Sequence, residues 1–434
     1  MMNRSIAYYS LGCKVNLYES ESLINKFIES GFVLKDFNDV CDVYLINTCT
    51  VTHTGDAKSR KIIREAIRRN KNAIIAVMGC YAELKPEDIV NIDGVDIIVG
   101  TYNRNKIYDL VMKYLGNKPN VADLSYKVDV LKIKDYEEMK LDKYNDKTRG
   151  FVKIQDGCDN YCSYCTVPYS RGHNRSRKIE DCVNEIATLT KSGIKEIVLS
   201  GINTGAYGKD LGINLATLLK ELVKIDKLGR IRISSIEETE ITKELLEVIK
   251  ENEKHFCSHF HIPLQAACNN TLKRMKRKYD VEAYKQKIDL IRSYFPDVNI
   301  TVDILAGFSG ETEADFKEGY QFIESMDFGE MHVFPYSRRE RTLAYHFDNI
   351  IDPITKKKRV NDLLHLNEKK ALEYRSKFLG KCVEVLVEKN VNGICFGHSS
   401  NYLEVEFKSD KCENDLVKVE IIKIGYPKCI GKEI

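Results

Sequence analysis

The stretch CDNYCSYC, residues 158–165, holds Cys158, Cys162 and Cys165 within one short turn. Thiolates bind zinc or iron–sulfur clusters, and the CxxxCxxC spacing leaves no fourth cysteine nearby, since Cys182 falls in the next expected helix. A structural zinc site closes its tetrahedron, typically with paired CxxC units. This set is open. A cubane cluster on three thiolates keeps one iron for an exogenous ligand; the competing reading is a zinc ion with a distant fourth ligand such as His173.

A second set is scattered. The N-terminal part alternates apolar runs with amphipathic stretches: SIAYYSLG, LYESESLINKFIESG, DVYLINTC, AKSRKIIREAIRRN, AIIAVMGC and DIIVG. This β-α-β-α-β rhythm predicts a parallel sheet with helices on its faces, whose ligand crevice lies at the carboxyl ends of the strands. Cys13, Cys49 and Cys80 each come directly after one of those runs, so they should emerge together on that edge. The bland alternative is chance, because β-rich runs often bury a cysteine.

From Gly150 a second series begins, FVKIQ, EIVLSG, IRISSI, HFHIPL, ITVDILAG and MHVFPYS, separated by helical stretches. Six β-α units predict a closed or partly closed parallel barrel with its active face built from the residues at the carboxyl end of each strand. Asp156, Gly157, Ser200, Gly201, Ser235, Glu237, Gln265, Gly307 and Ser337 occupy those places. The tail alternates with period two between Gly and Asn turns and reads as a small all-β barrel, either an RNA holder or a packing element. The fold class is therefore α/β, with expected boundaries at 1–116 for the parallel-sheet domain, 117–148 for a polar linker, 149–376 for the partial barrel and 377–434 for the β-barrel.

A chain of 434 residues with 43% hydrophobic and 30% charged residues is that of a globular protein, and its net charge of +3 neither demands nor excludes nucleic acid. No apolar run reaches membrane-spanning length, and the start MMNRSIAYYSLGC reads straight into a strand, so no membrane role and a cytoplasmic location are expected. In a reducing compartment the fourteen cysteines would be metal-binding or plain core rather than disulfides. Cys182, Cys257, Cys382, Cys395 and Cys429, single among apolar neighbours, are expected in cores.

CDNYCSYC on the first strand of a β-α barrel resembles the radical S-adenosylmethionine enzymes. The resemblance implies that the open iron chelates the amino and carboxylate groups of S-adenosylmethionine, whose reductive cleavage yields a deoxyadenosyl radical for hydrogen abstraction. It narrows over nearly the whole chain: SLGCKVN, NTCTV, MGCY and CTVPYSRGHNRSR look like the motifs of the methylthiotransferases. By that similarity Cys13, Cys49 and Cys80 hold a second 4Fe-4S cluster that handles the inserted sulfur, Cys158, Cys162 and Cys165 hold the first, and the tail is a TRAM-like barrel. Two molecules of S-adenosylmethionine would serve, one as methyl donor and one as radical source, with electrons from a donor such as flavodoxin or ferredoxin.

GINTGAYGKDL, RISSIEETEIT, HFHIPLQAACNNTLKRMKRKY and YSRRERTLA look most like the group acting on N6-threonylcarbamoyladenosine, which implies methylthiolation of carbon 2 of that base in a tRNA anticodon stem-loop. Isopentenyladenosine in tRNA and a ribosomal-protein side chain are the alternative substrates, and a non-catalytic RNA-binding iron–sulfur sensor is the alternative of another class. QAACN, Ser309 in GFSGE and Arg341 depart from the family pattern at barrel-mouth loops. Tyr164 is expected beside the cofactor or as a loop cover, and Ser200, Gly201, Ser235, Glu237 and Gln265 as cofactor contacts or structural residues. His261 and His332 read as satisfied core histidines. Three basic runs are candidate phosphate contacts or solvated faces: Lys58, Arg60, Lys61, Arg64, Arg68, Arg69 and Lys71 on one helix; Lys273, Arg274, Lys276, Arg277 and Lys278; and Arg171, Arg175, Arg177 and Lys178.

Overall fold

The computed structural model describes residues 4–144 and 148–434. Two compact units divide the chain: the first takes the N-terminal part together with Gln155–Arg177 and Ser337–Tyr345, and the second takes Lys178–Tyr336, His346–Ile434 and the strand preceding Gln155.

In the first unit β1 (Ser5–Ser10), β2 (Val33–Leu34), β3 (Val43–Thr48), β4 (Ile74–Gly79) and β5 (Ile97–Ile98) form a parallel sheet in the order β2-β1-β3-β4-β5. VYLINT and IIAVMG are buried throughout, as expected of central parallel strands covered on both faces. Alternate residues feed opposite layers. Val43, Leu45, Ile74 and Ala76 pack with Phe27 of the helix Lys14–Glu29, while Tyr44, Ile46, Ile75 and Val77 pack with Ile63 and Ala66 of the helix His53–Arg69.

The segment expected as a polar linker, 117–148, contains residues 145–147, which lie outside the described ones. Its described part does not run free. Met139 and Leu141 are buried in the Phe27 layer, and helix side chains donate to its backbone: Tyr18 to Met139, Ser22 Oγ to Lys140 O at 2.6 Å, and Asn25 Nδ2 to Lys143 O at 2.7 Å. Two apolar anchors within a charged stretch are too sparse to register as periodicity.

The second unit opens with β6 (Arg149–Lys153). The short antiparallel pair β7 (Gln155–Asp156) and β8 (Arg175–Ser176) then belongs to the first unit. In the second unit β9 (Glu196–Ser200), β10 (Arg230–Ile233), β11 (His259–His261), β12 (Asn299–Ala306) and β13 (Glu330–Pro335) pair in parallel as β10-β9-β6 and β11-β12-β13. A bridge between Ile231 and Phe256 and the Ile236 N–H to His261 O bond at 3.0 Å join the two sheets. The six strands thus make a partial barrel.

The tail strands β14 (Cys382–Val391), β15 (Ile394–Ser399), β16 (Glu404–Lys408), β17 (Leu416–Lys423) and β18 (Cys429–Glu433) close into a barrel around Val385, Val387, Val405, Val419 and Ile421. Of the cysteines expected in cores, Cys182, Cys257, Cys395 and Cys429 are buried, whereas Cys382 is exposed because it opens β14 before the strand enters the barrel interior.

A buried ionic knot fixes this barrel to the partial one. Glu196 accepts from Arg230 Nε at 2.7 Å and Arg232 Nε at 2.8 Å, and those arginines donate onward to His398 O, Ser399 O and Ser400 O at 2.9, 3.1 and 3.0 Å. Tyr402 stacks between His259 and His398, with centroids 4.7 Å from each, and the Arg232 guanidinium lies 4.8 Å from its ring. Among the described residues no helix is long and apolar enough to cross a membrane.

Candidate functional site

Cys13, Cys49 and Cys80 lie just past the carboxyl ends of β1, β3 and β4, three strands adjacent in the sheet. Two asparagines knit those ends: Asn16 Nδ2 donates to Leu11 O at 2.7 Å and Thr48 O at 3.2 Å, and Asn47 Nδ2 donates to Asn16 O at 2.9 Å. A Cβ on Gly12 would stand 3.1 Å from Cys49 Sγ, which places the Cys13 loop against Cys49. Burial pushes the Cys49 thiol up to about 11, with Cys80 and Cys13 adding to it, and burial also raises Cys80 against an opposing pull from Arg171.

Gly79 turns β4 into the Cys80 helix at φ +100°, where a Cβ would lie 2.3 Å from Asn47 Oδ1 and 2.5 Å from Thr48 O. Gly79→Ala is expected to destabilise the first unit by about 2 kcal/mol or more. It should also lower iron content through displacement of Cys80. Denaturant unfolding and iron analysis check both, and an unchanged variant would contradict the role given to this turn.

The second triple lies in the same unit. Cys158 N–H donates to Gly172 O at 3.0 Å and Cys165 N–H to Cys162 O at 3.0 Å, while Ala344 N–H reaches Ser163 O at 2.7 Å. Gly157, at φ +72°, packs so close to His173 that a Cβ would sit 1.9 Å from His173 O. Tyr164 is half-buried in this turn. His173, the fourth ligand of the zinc reading, has its Nδ1 2.6 Å from Asp159 Oδ1 and is half-exposed, so its ring is engaged by a carboxylate.

Beneath the cysteines lies a charge network. Arg171 Nη1 donates to Glu19 Oε1 at 2.9 Å and Asp156 Oδ1 at 2.8 Å, and its Nη2 donates to Asn16 Oδ1 at 2.6 Å. Arg104 pairs with Glu19, Glu137 and Asp156, and Arg177 with Glu138. Burial opposes the charge on Arg104, but Glu19, Glu137 and Asp156 outweigh it and hold the guanidinium protonated. Arg171, Arg175 and Arg177 are at most 2% exposed, which corrects their reading as phosphate contacts. Asn16, Glu19, Asn47, Arg104 and Glu137 escape sequence reasoning because their partners lie far away in the chain and their own spacing carries no signal. A further tie binds Arg339 Nη2 to Thr50 Oγ1 and Asp56 Oδ2, both at 2.7 Å, beside Cys49 in sequence.

The other two basic runs divide by exposure. Lys58, Lys61, Arg64 and Arg68 are exposed on their helix, Arg60 and Arg69 are half-buried, and Lys71 lies beyond the helix end at Arg69. Lys273, Lys276 and Lys278 are exposed, whereas Arg274 donates to Gly310 O at 2.6 Å and Arg277 pairs with Glu237.

Ser200, Gly201, Ser235, Glu237 and Gln265 belong to the second unit, and Tyr164 and the six cysteines to the first. Ser200 is buried with its Oγ 3.3 Å from Val198 O. Ser235 O accepts from Thr204 N, and the Glu237 carboxylate is engaged by Arg277. Gln265 sits at φ +67°, pinned by backbone bonds to Asp303 and Leu305 at 2.8 Å each, the kind of local strain that gathers at functional sites.

His261 and His332 do not sit in a core as expected. They share a sheet face with Asp303, whose oxygens lie 3.3 Å from His261 Nε2 and 3.2 Å from His332 Nδ1, and His332 is half-exposed. They alternate with core positions along their strands, so apolar neighbours in sequence do not make them internal. Burial raises the Asp303 carboxyl but the two imidazoles outweigh it and hold it ionised. His261 Nδ1 also lies 2.9 Å from Thr301 Oγ1.

Known proteins agree with this geometry. The Radical SAM superfamily description matches residues 152–323, and Uncharacterized protein family UPF0004 matches residues 5–100. The chain is 41% identical over 431 residues, 98% of its length and 95% of the relative's, to the threonylcarbamoyladenosine tRNA methylthiotransferase MtaB of Bacillus subtilis. It is 36% identical to the Aquifex aeolicus protein of that name, over 96% of this chain and all of the relative. It is also 36% identical to the tRNA-2-methylthio-N(6)-dimethylallyladenosine synthase of Thermoanaerobacter pseudethanolicus, over 88% and 82% of the two chains. Among solved structures, the radical S-adenosylmethionine methyltransferase TsrM of Kitasatospora setae shares the fold with a TM-score of 0.55 at 14% identity, covering 76% of this chain and 72% of that one. Radical S-adenosylmethionine chemistry brings with it a 4Fe-4S cluster and S-adenosylmethionine, and identity of this extent over whole chains places the protein in the radical S-adenosylmethionine methylthiotransferase family, as a tRNA-modifying enzyme.

Proposed function

We propose that the protein methylthiolates carbon 2 of N6-threonylcarbamoyladenosine beside the anticodon of tRNA. The observation that carries this reading is one unit holding two triples of cysteines, one on a single turn and one gathered from three strand ends, in a chain 41% identical to a relative named for that nucleoside. Cys158, Cys162 and Cys165 would hold the cluster that binds and cleaves S-adenosylmethionine, with Tyr164 packed beside it. Cys13, Cys49 and Cys80 would hold a second 4Fe-4S cluster serving the inserted sulfur. Ser200, Gly201, Ser235, Glu237 and Gln265 would contact the cofactor, with Glu237 also held by Arg277. The electron donor would be a small flavodoxin or ferredoxin, and the setting cytoplasmic.

RNA phosphates would meet the exposed Lys58, Lys61, Arg64 and Arg68 and the exposed Lys273, Lys276 and Lys278. Replacing the latter three with glutamine should weaken anticodon stem-loop binding and reduce its salt dependence by up to about 3 logarithmic steps per logarithm of salt. Filter binding at several salt concentrations checks this, and an unchanged slope would remove that run from the interface.

Substrate choice is tested by competition. Equal amounts of two anticodon stem-loops, one carrying threonylcarbamoyladenosine and one isopentenyladenosine, are incubated anaerobically with the reconstituted enzyme, S-adenosylmethionine, sulfide and reductant. Product nucleosides should gain the methylthio mass on the threonylcarbamoyl substrate at least tenfold faster, and preference for the isopentenyl substrate would overturn the assignment.

A further inference from the structure

Arg171 is fully buried in the first unit and held from three sides, by Glu19, Asp156 and Asn16. Asn16 Oδ1, which accepts from Arg171 Nη2 at 2.6 Å, also lies 3.8 Å from Cys13 Sγ, so the guanidinium is one atom removed from one thiol of the N-terminal triple. The Arg171 Nε has no hydrogen-bond partner. A buried charged donor left unsatisfied costs free energy unless something accepts from it.

The surrounding charges balance without the thiols. Arg104, Arg171 and Arg175 face Glu19, Glu137 and Asp156. Three thiolates on a doubly charged cubane core would add a net negative charge beside this balanced set, and one-electron reduction would add another. A fixed cation at the sulfur shell, in a medium of low dielectric, stabilises the reduced form more than the oxidised one. Hydrogen bonds to cluster sulfur act in the same direction, and groups beyond the ligands commonly tune a metal centre.

We propose that Arg171 is a positioning residue for the cluster on Cys13, Cys49 and Cys80, its buried guanidinium linked through Asn16 to the sulfur shell at Cys13 and raising that cluster's reduction potential. The inference rests on the reading that these three cysteines hold a cluster. Asp156 gives the arrangement a second consequence, because it lies two residues before Cys158 and anchors the same guanidinium. The backbone entering one cysteine turn is thereby tied to the cation serving the other.

The test uses the full chain with Cys158, Cys162 and Cys165 replaced by alanine, reconstituted anaerobically so that one cluster signal remains. The cluster takes one electron from dithionite in a potentiometric titration, and the reduced fraction is read by electron paramagnetic resonance. Arg171→Gln should lower the midpoint potential by at least the 59 mV that corresponds to a tenfold change in a one-electron equilibrium. Arg171→Lys, which keeps the charge and loses the planar fork, should shift it in the same direction by less. Arg177→Gln removes another buried cation of this unit, one paired with Glu138, and should leave the potential unchanged.

Equal potentials in wild type, Arg171→Lys and Arg171→Gln would overturn the inference, and so would a shift of the same size in Arg177→Gln, which would mark a general loss of structure. Should Arg171→Gln fail to retain iron, the comparison of Arg171→Lys with wild type decides, and an unchanged potential there refutes the proposal. If the background variant itself binds no iron, the reading of Cys13, Cys49 and Cys80 as ligands fails first.

Discussion

Replacing Cys158, Cys162 and Cys165 together by alanine is expected to abolish cleavage of S-adenosylmethionine to deoxyadenosine, while iron falls from about eight to about four atoms per chain, four for each cubane. The matching replacement of Cys13, Cys49 and Cys80 should remove the same amount of iron with a different consequence. Cleavage to deoxyadenosine should continue there, uncoupled from product, because on the proposed roles the radical source stays intact while the sulfur-handling cluster is lost. Iron analysis with chromatography of deoxyadenosine and of the modified nucleoside separates the two outcomes. A first variant that still cleaves the cofactor, or a second that still forms methylthio product, would contradict the division of roles.

The second large effect concerns stability. Glu196 is fully buried between Arg230 and Arg232, and although burial raises its carboxyl, Arg232 and then Arg230 outweigh that and lower it to about 2. Glu196→Gln keeps the shape of the side chain but strands two buried guanidinium groups, so a loss of about 3–5 kcal/mol is expected in the unfolding of the second unit. The depressed value sets the sign of the pH dependence. The stabilisation is fully present above the carboxyl's unfolded value and fades as pH falls from about 5 towards about 2, amounting to about 3 kcal/mol. Chemical unfolding of wild type and Glu196→Gln across that range checks it, since the variant should have lost this part of the acid sensitivity. Parallel curves would deny Glu196 the role.

The same knot changes the meaning of a tail deletion. His398, Ser399 and Ser400 supply the carbonyls that accept from Arg230 and Arg232, so removing residues 377–434 would strip partners from buried arginines as well as any RNA contact. Loss of tRNA binding after such a truncation would therefore not identify the tail as the binding surface. Point changes at exposed positions avoid that ambiguity.

Much of the architecture is legible in the sequence because it rests on periodicity. VYLI within Val43–Thr48 and IIAVM within Ile74–Gly79 are apolar runs, and HFHIPL and ITVDILAG are spaced as a β-α barrel requires, so hydrophobic patterning locates the strands. The chemistry of CDNYCSYC is local and equally open to reading. Partnership across long separations is the part that escapes. SRGHNRSRK reads as a basic surface, yet Arg171 is spent on Glu19, which lies 152 residues away in sequence, and Arg177 on Glu138. Charge in a sequence shows composition, whereas burial depends on which carboxylate the fold delivers. His261 and His332 teach the converse lesson: an apolar neighbourhood along a strand concerns both faces of the sheet, and the alternate face here carries Asp303.

Nucleoside mass spectrometry reads the assigned reaction directly. Hypomodified tRNA bearing threonylcarbamoyladenosine is incubated under anaerobic conditions with the fully reconstituted protein, S-adenosylmethionine, sulfide and reductant, then digested to nucleosides. Threonylcarbamoyladenosine should gain the mass of one methylthio group, with deoxyadenosine formed alongside. With both clusters shown intact, absence of any methylthio nucleoside would contradict the assigned function.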